Sequence, residues 1–489
     1  MRPTMSATHD TASPGPAGST SRPDGRTPPV IKLLVAATFV VILNETIMIN
    51  AIPRLMVEFS IDERSAQWLS TVFMLTMAAV IPVTGWFLQR VSTRTAYGLA
   101  MATFCAGTLL AATAPTFEVL LAGRVVQAGG TAVMTPLLMT TLMTVVPAGD
   151  RGRVMGQVTL AMSCAPALGP AVSGVLLELG SWRLIFAAVL PVAVLVAVGG
   201  LRKLQNIGEP QVSPVSWASV TLAATGFGSL VYGLSKVGDG GSTAPLVVTA
   251  AGLALIGAFA LYQVHLQRSG TPLLDLRTLQ HRTFAVALVL MSAGFMAFLG
   301  SMILLPLYLQ SLRGLSELQT GLLVMPGGLA MGLLGPQVGR VYDRFGSRPL
   351  VLPGAVGLVL LLAALTRIEA TTPYALILAL HVLLMMCLAL IFTPVFTVGL
   401  GDLPPHLYAH GSSLLGTLQQ VAGALGTAVL VVVLDSRADQ LAQDGSAASD
   451  AFIGGLQWAF GAAAVMALVV LATAVMLPAR PTTGARGGA

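Results

Sequence analysis

Fourteen runs of apolar residues, each long enough to cross a lipid bilayer as a helix, follow one another along this chain. They lie near 31–53, 68–88, 96–114, 117–146, 154–178, 183–201, 214–235, 244–266, 283–309, 317–340, 349–366, 373–400, 409–434 and 452–477. A crossing helix needs about 20 such residues. The chain is 55% hydrophobic and 9% charged, against roughly 25% charged residues in a soluble domain. So little charge cannot coat a water-facing surface of this size. Lipid is the solvent, and an all-α membrane protein of fourteen spans is the fold class this pattern predicts.

The connecting segments set the orientation. With the N-terminus in the cytoplasm, eighteen basic residues fall inside and seven outside. That asymmetry predicts fourteen spans with both termini cytoplasmic. Residues 1–30, rich in Ser, Thr, Pro and Gly, read as a disordered tail without a signal peptide. Residues 435–451, with Asp435, Asp439, Asp444 and Asp450, read as a polar external loop. The net charge of +6 is spread over segment ends and forms no patch for nucleic acid. Cys105, Cys164 and Cys387 all lie in apolar runs, an odd number placed for neither disulfides nor a metal. No phosphate-binding Gly-x-x-x-x-Gly-Lys-Ser/Thr loop occurs, and no nucleophile constellation, so the chain does not read as an enzyme. The only lysines are Lys32, Lys203 and Lys236. The arginine bias points to a GC-rich genome, such as an actinobacterial one, and the expected location is a bacterial cytoplasmic membrane.

The chain repeats itself. After the second run it reads Gly85-Trp-Phe-Leu-Gln89-Arg90-Val-Ser92-Thr93-Arg94. After the tenth it reads Gly339-Arg-Val-Tyr-Asp343-Arg344-Phe-Gly346-Ser347-Arg348. The glycine, both arginines and a small hydroxyl keep their offsets 254 residues on, the mark of duplicated halves. These loops resemble the signature loop of the major facilitator superfamily, Gly-x-x-x-Asp-Arg-x-Gly-x-Arg. Arg124-Val-Val-Gln127-Ala-Gly129-Gly130 resembles its arginine motif, and Gly169-Pro170-Ala-Val-Ser173-Gly174 its antiporter motif. Leu43-Asn44-Glu45-Thr46-Ile47 through Pro53 is similar to the first-helix motif of the fourteen-helix drug:proton antiporters, within them most like the lincomycin-efflux group. Two positions depart: Asn44 and Gln89 stand where aspartate is common, whereas the second loop retains Asp343.

The resemblance implies two six-helix bundles, 31–201 and 283–477, with two additional transmembrane helices and their linkers at 202–282 and a cytoplasmic tail at 478–489. It implies a functional monomer that exports lipophilic drugs or antibiotics by alternating access. Such an exporter exchanges substrate for protons and uses the proton motive force without a cofactor. An exporter of a single endogenous metabolite or lipid-like molecule, and a non-transporting membrane sensor, are the alternatives.

Export coupled to protons needs a charge that can be neutralised inside the membrane. Glu45 is the only carboxylate well inside a run, and Arg124 the only arginine. At about 1.5 Å per residue both lie roughly 10–12 Å below the outer boundary. They stand either as a proton-coupling site or as a permanent ion pair between two helices. His381 can titrate near neutral pH or serve as a hydrogen-bonded core residue. Asn50, Gln127, Thr131, Gln337, Gln419 and Gln420 can bond a substrate or a neighbouring helix. Gly169, Pro170 and Gly174 make the fifth helix kinkable and closely packed, either to slide against the other half or as a static contact. Gly85, Arg90, Arg94, Gly339, Asp343, Arg344 and Arg348 belong to the loops expected to close one state.

Overall fold

The computed structural model describes residues 27–207, 214–237, 243–269 and 272–478. The two tails expected at 1–30 and 478–489 lie almost wholly outside them. Fourteen helices are long and apolar enough to cross a membrane: α1 Pro29–Ile47, α2 Trp68–Arg90, α3 Thr93–Ala112, α4 Phe117–Val145, α5 Arg151–Leu179, α6 Arg183–Lys203, α7 Trp217–Ser235, α8 Ala244–Gln267, α9 Arg282–Leu307, α10 Glu317–Phe345, α11 Arg348–Leu365, α12 Tyr374–Gly401, α13 Tyr408–Gln443 and α14 Ala448–Met476. Among the described residues there is no strand, as expected where each backbone group must be bonded within its own segment.

Local signals set several boundaries. Ser92, Thr116, Ser216 and Ser316 each accept a bond from the backbone N–H three residues on, capping α3, α4, α7 and α10. Ser316 and Gln319 complete a reciprocal capping box. The first crossing departs from its expected 31–53. α1 stops at Ile47, a 3₁₀ turn spans Ile49–Ala51, and a short helix Ile52–Phe59 follows. Pro53 has no N–H and its ring crowds the carbonyl four residues back, so an uninterrupted helix is disfavoured there. The external loop read at 435–451 is also corrected. α13 continues to Gln443 and carries Asp435 and Asp439 on helical turns. Arg437 bonds Gln440 one turn on at 3.0 Å and lies over the Trp458 ring of α14. Only Asp444–Ala447 connects the two helices.

The packed pairs have an internal symmetry. α1 packs on α4, α5 and α6; α2 on α4; α3 on α4 and α6. Shift each number by eight and the second set appears: α9 on α12, α13 and α14; α10 on α12; α11 on α12 and α14. Contacts between the sets obey the same rule. α5 meets α10 as α13 meets α2, and α4 meets α13 as α12 meets α5. α7 and α8 pair with one another, and α7 rests against α2 and α13. An even number of crossings brings Thr27 and Pro478 to the same end of the bundle, the end that also carries Arg90, Arg94, Arg151, Arg153, Arg344 and Arg348. It is called the arginine-rich end below.

Candidate functional site

Glu45 stands two residues before the break in α1, half-buried. Arg124 stands seven residues into α4 and is 2% exposed. The two charges act on one another, yet no ion pair within 4.0 Å joins them. Arg124 is held by other groups. Its Nη1 donates to Gln127 Oε1 at 2.6 Å, and Gln127 Nε2 donates to Thr108 Oγ1 of α3 at 2.8 Å. The guanidinium lies over the Phe73 ring of α2, 4.2 Å from its centroid, an arrangement that stabilises a desolvated cation. Its Nε has no partner. Asn44, beside Glu45, is fully buried with neither amide atom bonded. A permanent, tightly closed ion pair is therefore not what α1 and α4 contain. They hold a cation fixed from behind and a carboxylate with no bonded partner.

The matching positions of the other set carry no such charges. At the repeat's offset of 254 residues, Glu45 corresponds to Leu299 and Phe73 to Gly327. His381 lies seven residues into α12, as Arg124 lies seven into α4. It is 5% exposed, packs against Gly327, and its Nε2 is unbonded. His381 and Glu45 thus belong to different helix sets.

The remaining polar candidates divide. Gln127 and Thr131 are buried on α4; Gln127 bridges Arg124 to Thr108, and Thr131 Oγ1 donates to the Gln127 carbonyl at 3.1 Å. Asn50 Nδ2 donates to the Pro170 carbonyl at 3.3 Å, tying the turn after α1 to α5. Gln419 and Gln420 are half-buried on α13, and Gln419 Nε2 has no partner. Gln337 is exposed on α10. Gly169 lies against Thr46 of α1, Pro170 against Gly321 of α10, and Gly174 near Leu318. Despite Pro166 and Pro170, α5 is continuous from Arg151 to Leu179.

The two sets meet tightly at the arginine-rich end. Asp343 Oδ1 and Oδ2 accept from the backbone N–H groups of Gly152 and Arg153 at 2.7 Å each. A carboxylate is thereby seated on the N-terminus of α5, where unpaired amides and the helix dipole favour an anion. The neighbouring arginines play other parts: Arg348 Nε donates to the Leu477 carbonyl at 2.9 Å, Arg344 lies over Phe345, and Arg90 lies over Trp86. Arg94 is exposed. Gln89, the repeat partner of Asp343, does the reverse of an acid. Its Nε2 donates to the His406 carbonyl at 2.8 Å just before α13. Gly85 lies against His410 and Ser413 of α13, and Gly339 against Gly152 of α5.

Further bonds gather at this end. Thr159 and Thr393 hydroxyls meet at 2.8 Å, Thr140 donates to Ser412 at 3.4 Å, and Ser413 donates to the Ile81 carbonyl. Arg151 donates to Tyr408 Oη at 3.2 Å and to the Met143 carbonyl at 2.7 Å. All of these lie toward the arginine-rich end, and all but the Arg151–Met143 bond join the two sets. The glycine seam had a visible signal in Gly152-x-x-x-Gly156 and Gly335-x-x-x-Gly339, the small-residue spacing of close helix pairs. The hydroxyl pairs had none, because a lone threonine in an apolar run more often bonds its own helix.

Residues 34–427 match the family model of the Major Facilitator Superfamily. An uncharacterized MFS-type transporter, YcnB of Bacillus subtilis, is 36% identical over 92% of this chain and 96% of its own length. The lincomycin resistance protein LmrB of Listeria innocua is 37% identical over 83% of this chain and 86% of its own. A multidrug resistance protein B homolog of Mycobacterium tuberculosis is 32% identical over 82% and 75%. Among solved structures, the human organic anion transporter MFSD10 superimposes with TM-score 0.64 at 16% identity, over 92% of this chain and 100% of that one. The proton:xylose symporter XylE gives 0.63 at 16%, over 92% and 95%. Fourteen spanning helices, a twofold repeat of helix contacts and a family match over most of its length establish that this chain is a membrane transporter of the major facilitator superfamily.

Proposed function

We propose that the protein is a proton-coupled exporter of lipophilic drugs in a bacterial plasma membrane, with the arginine-rich end in the cytoplasm. The observation that carries this reading is the pairing of a half-buried, unbonded Glu45 with an Arg124 fixed by Gln127 and Phe73. A carboxylate deep in a span is costly as an isolated ion. It can take a proton or use the nearby cation, and here nothing prevents either. Protonation of Glu45 leaves Arg124 held by Gln127, Thr108 and Phe73, so the cation is not stranded by the loss of its counter-charge. The names of the lincomycin and multidrug resistance relatives support drug export as the cargo class.

In this state the crossing bonds close the cytoplasmic end. On this reading release runs through the other end, where α5 and α10 still touch at Pro170–Gly321 and Gly174–Leu318 and would have to part. Proton binding at Glu45 from outside, with substrate leaving, would permit the return to a cytoplasm-open state. Reconstituted protein with lincomycin as probe tests the reading. An imposed pH gradient should drive lincomycin against its own gradient, with protons moving in the opposite direction. Lincomycin movement indifferent to the pH gradient would overturn the coupling.

A further inference from the structure

The two seams that close the arginine-rich end are related by the repeat, but they are built differently. In the α5–α10 seam a carboxylate, Asp343, sits on the N–H groups of Gly152 and Arg153. In the α2–α13 seam its counterpart is the neutral Gln89, and an imidazole, His410, stands against Gly85. A Cβ on Gly85 would come within 2.9 Å of His410 Nδ1, so the ring itself fills the space between the helices. His410 is 4% exposed and its Nδ1 has no partner. The functional reading above makes no use of it.

An acid reaches this seam from elsewhere. The segment after α8 turns back under the bundle, with Leu273, Leu274 and Thr278 buried. Gln263 of α8 accepts from the N–H of Leu273 at 2.8 Å and donates to Ser219 of α7 at 2.9 Å, fixing the segment to both additional helices. The segment carries Asp275, 3% exposed, and its following turn, Leu276–Gln280, packs against α13 near His410. Asp275 accepts from the N–H, Nε and Nη2 of Arg277 at 2.7–3.0 Å and from Gln267 Nε2 at 3.2 Å. Burial works against its charged form, but the Arg277 bonds prevail and hold it below the usual carboxylate range. The other titratable neighbours of His410 are Arg277 and His406. Gly85, which faces the ring from α2, carries no charge.

We propose that His410 is a second proton-sensitive group of this transporter, one that loosens the α2–α13 seam when the cytoplasmic side is acidified. A neutral imidazole fits the dry gap. A protonated one places a cation between two packed helices with its Nδ1–H unpaired, which is costly. Opening the seam hydrates the cation, so acid favours the cytoplasm-open arrangement. Asp275 brings an opposite charge toward this end of α13, where it is itself bonded by Arg277. The α7–α8 pair acquires a role by this reading: it positions the acid that the Gln89 seam lacks.

The inference rests on the cytoplasmic end being the one that opens. Its test therefore uses the Glu45→Gln background, which removes the other proposed proton site. Spin labels at Thr95 and Pro405, in full-length protein lacking its native cysteines, report the width of the seam. As pH falls from 8 to 5.5, the long-distance population should rise several-fold. With His410→Gln that response should vanish. Asp275→Asn, which leaves the histidine in place, should move its midpoint down by about one pH unit, as expected for losing a nearby opposite charge. A pH response unchanged in both variants would overturn the inference, as would a seam whose width ignores pH with His410 present. Neither result would bear on lincomycin exchange in the protein with Glu45 intact.

Discussion

Gly152→Ala probes the closed state most sharply. A Cβ at Gly152 would lie 2.5 Å from Asp343 Oδ1, 2.5 Å from the Tyr342 ring and 2.6 Å from the Gly339 carbonyl. Two of these neighbours cannot yield. Gly339 offers backbone, and Asp343 is tied by both oxygens to the same turn. Ordinary contact begins near 3.4 Å, so α5 and α10 must part by about 0.8 Å. That displacement takes the two 2.7 Å bonds of Asp343 to the limit of hydrogen-bonding distance. Bonds to a charged group contribute about 1.5–3 kcal/mol each, and overpacking adds about 1–3 kcal/mol. Some of the lost bonding is recovered as hydration when the seam opens, so a net bias near 3 kcal/mol is the working figure, roughly a hundredfold in the closed-to-open ratio. Spin-label distances between α5 and α10 at the arginine-rich end should shift from mostly short to mostly long. Gly149→Ala, three residues away with nothing within 4 Å, should change nothing. A Gly152→Ala protein with the wild-type distance distribution would refute the claim that this seam sets the closed state.

Three further outcomes follow from the geometry. Glu58 accepts from Trp182 Nε1 at 2.6 Å and pairs with Arg183; the Arg183 bond above all holds its carboxyl below the ordinary range. A depressed carboxylate contributes stability above its unfolded pKa and loses it as pH falls through the folded one. Glu58→Gln should therefore lower Tm at pH 7, with the difference from wild type closing below about pH 4; a difference independent of pH would contradict this. Asp343→Asn keeps one acceptor oxygen for two N–H groups, so turnover should fall several-fold with lincomycin affinity unchanged; unchanged turnover would remove Asp343 from gating. In a cysteine-free background, a thiol at Thr371 should react with an impermeant reagent outside intact cells and one at Gly149 should not; the opposite pattern would invert the orientation.

The crossings were legible because lipid imposes a length and a composition on each of them. The repeat was legible because Gly85 and Gly339 both sit where helices touch. Glu45 and Arg124 stood out because charge in a span is rare. What fixes Arg124 was not legible: Phe73 is one apolar residue among many in its run, and Thr108 meets Gln127 only through the packing of α3 on α4. The bonding of Asp343 was not legible, for a local reason. The acid points across the seam to α5, where it accepts from the N–H groups of Gly152 and Arg153 at the helix N-terminus, while Arg348 bonds the Leu477 carbonyl and Arg344 lies over Phe345. The extension of α13 past residue 435 was hidden by its aspartates, which read as loop but lie on turns supported by Arg437.

If Glu45 carries the coupling proton, a neutral side chain in its place must uncouple transport. Glu45→Gln retains the size of the side chain and fixes it in a neutral form, while Gln127, Thr108 and Phe73 continue to hold Arg124. Wild type and variant, reconstituted side by side, should exchange labelled for unlabelled lincomycin at comparable rates when no gradient is imposed. Under an inward pH gradient only the wild type should move lincomycin uphill and take up protons with it. A Glu45→Gln protein that still concentrates lincomycin on a pH gradient would contradict the assignment.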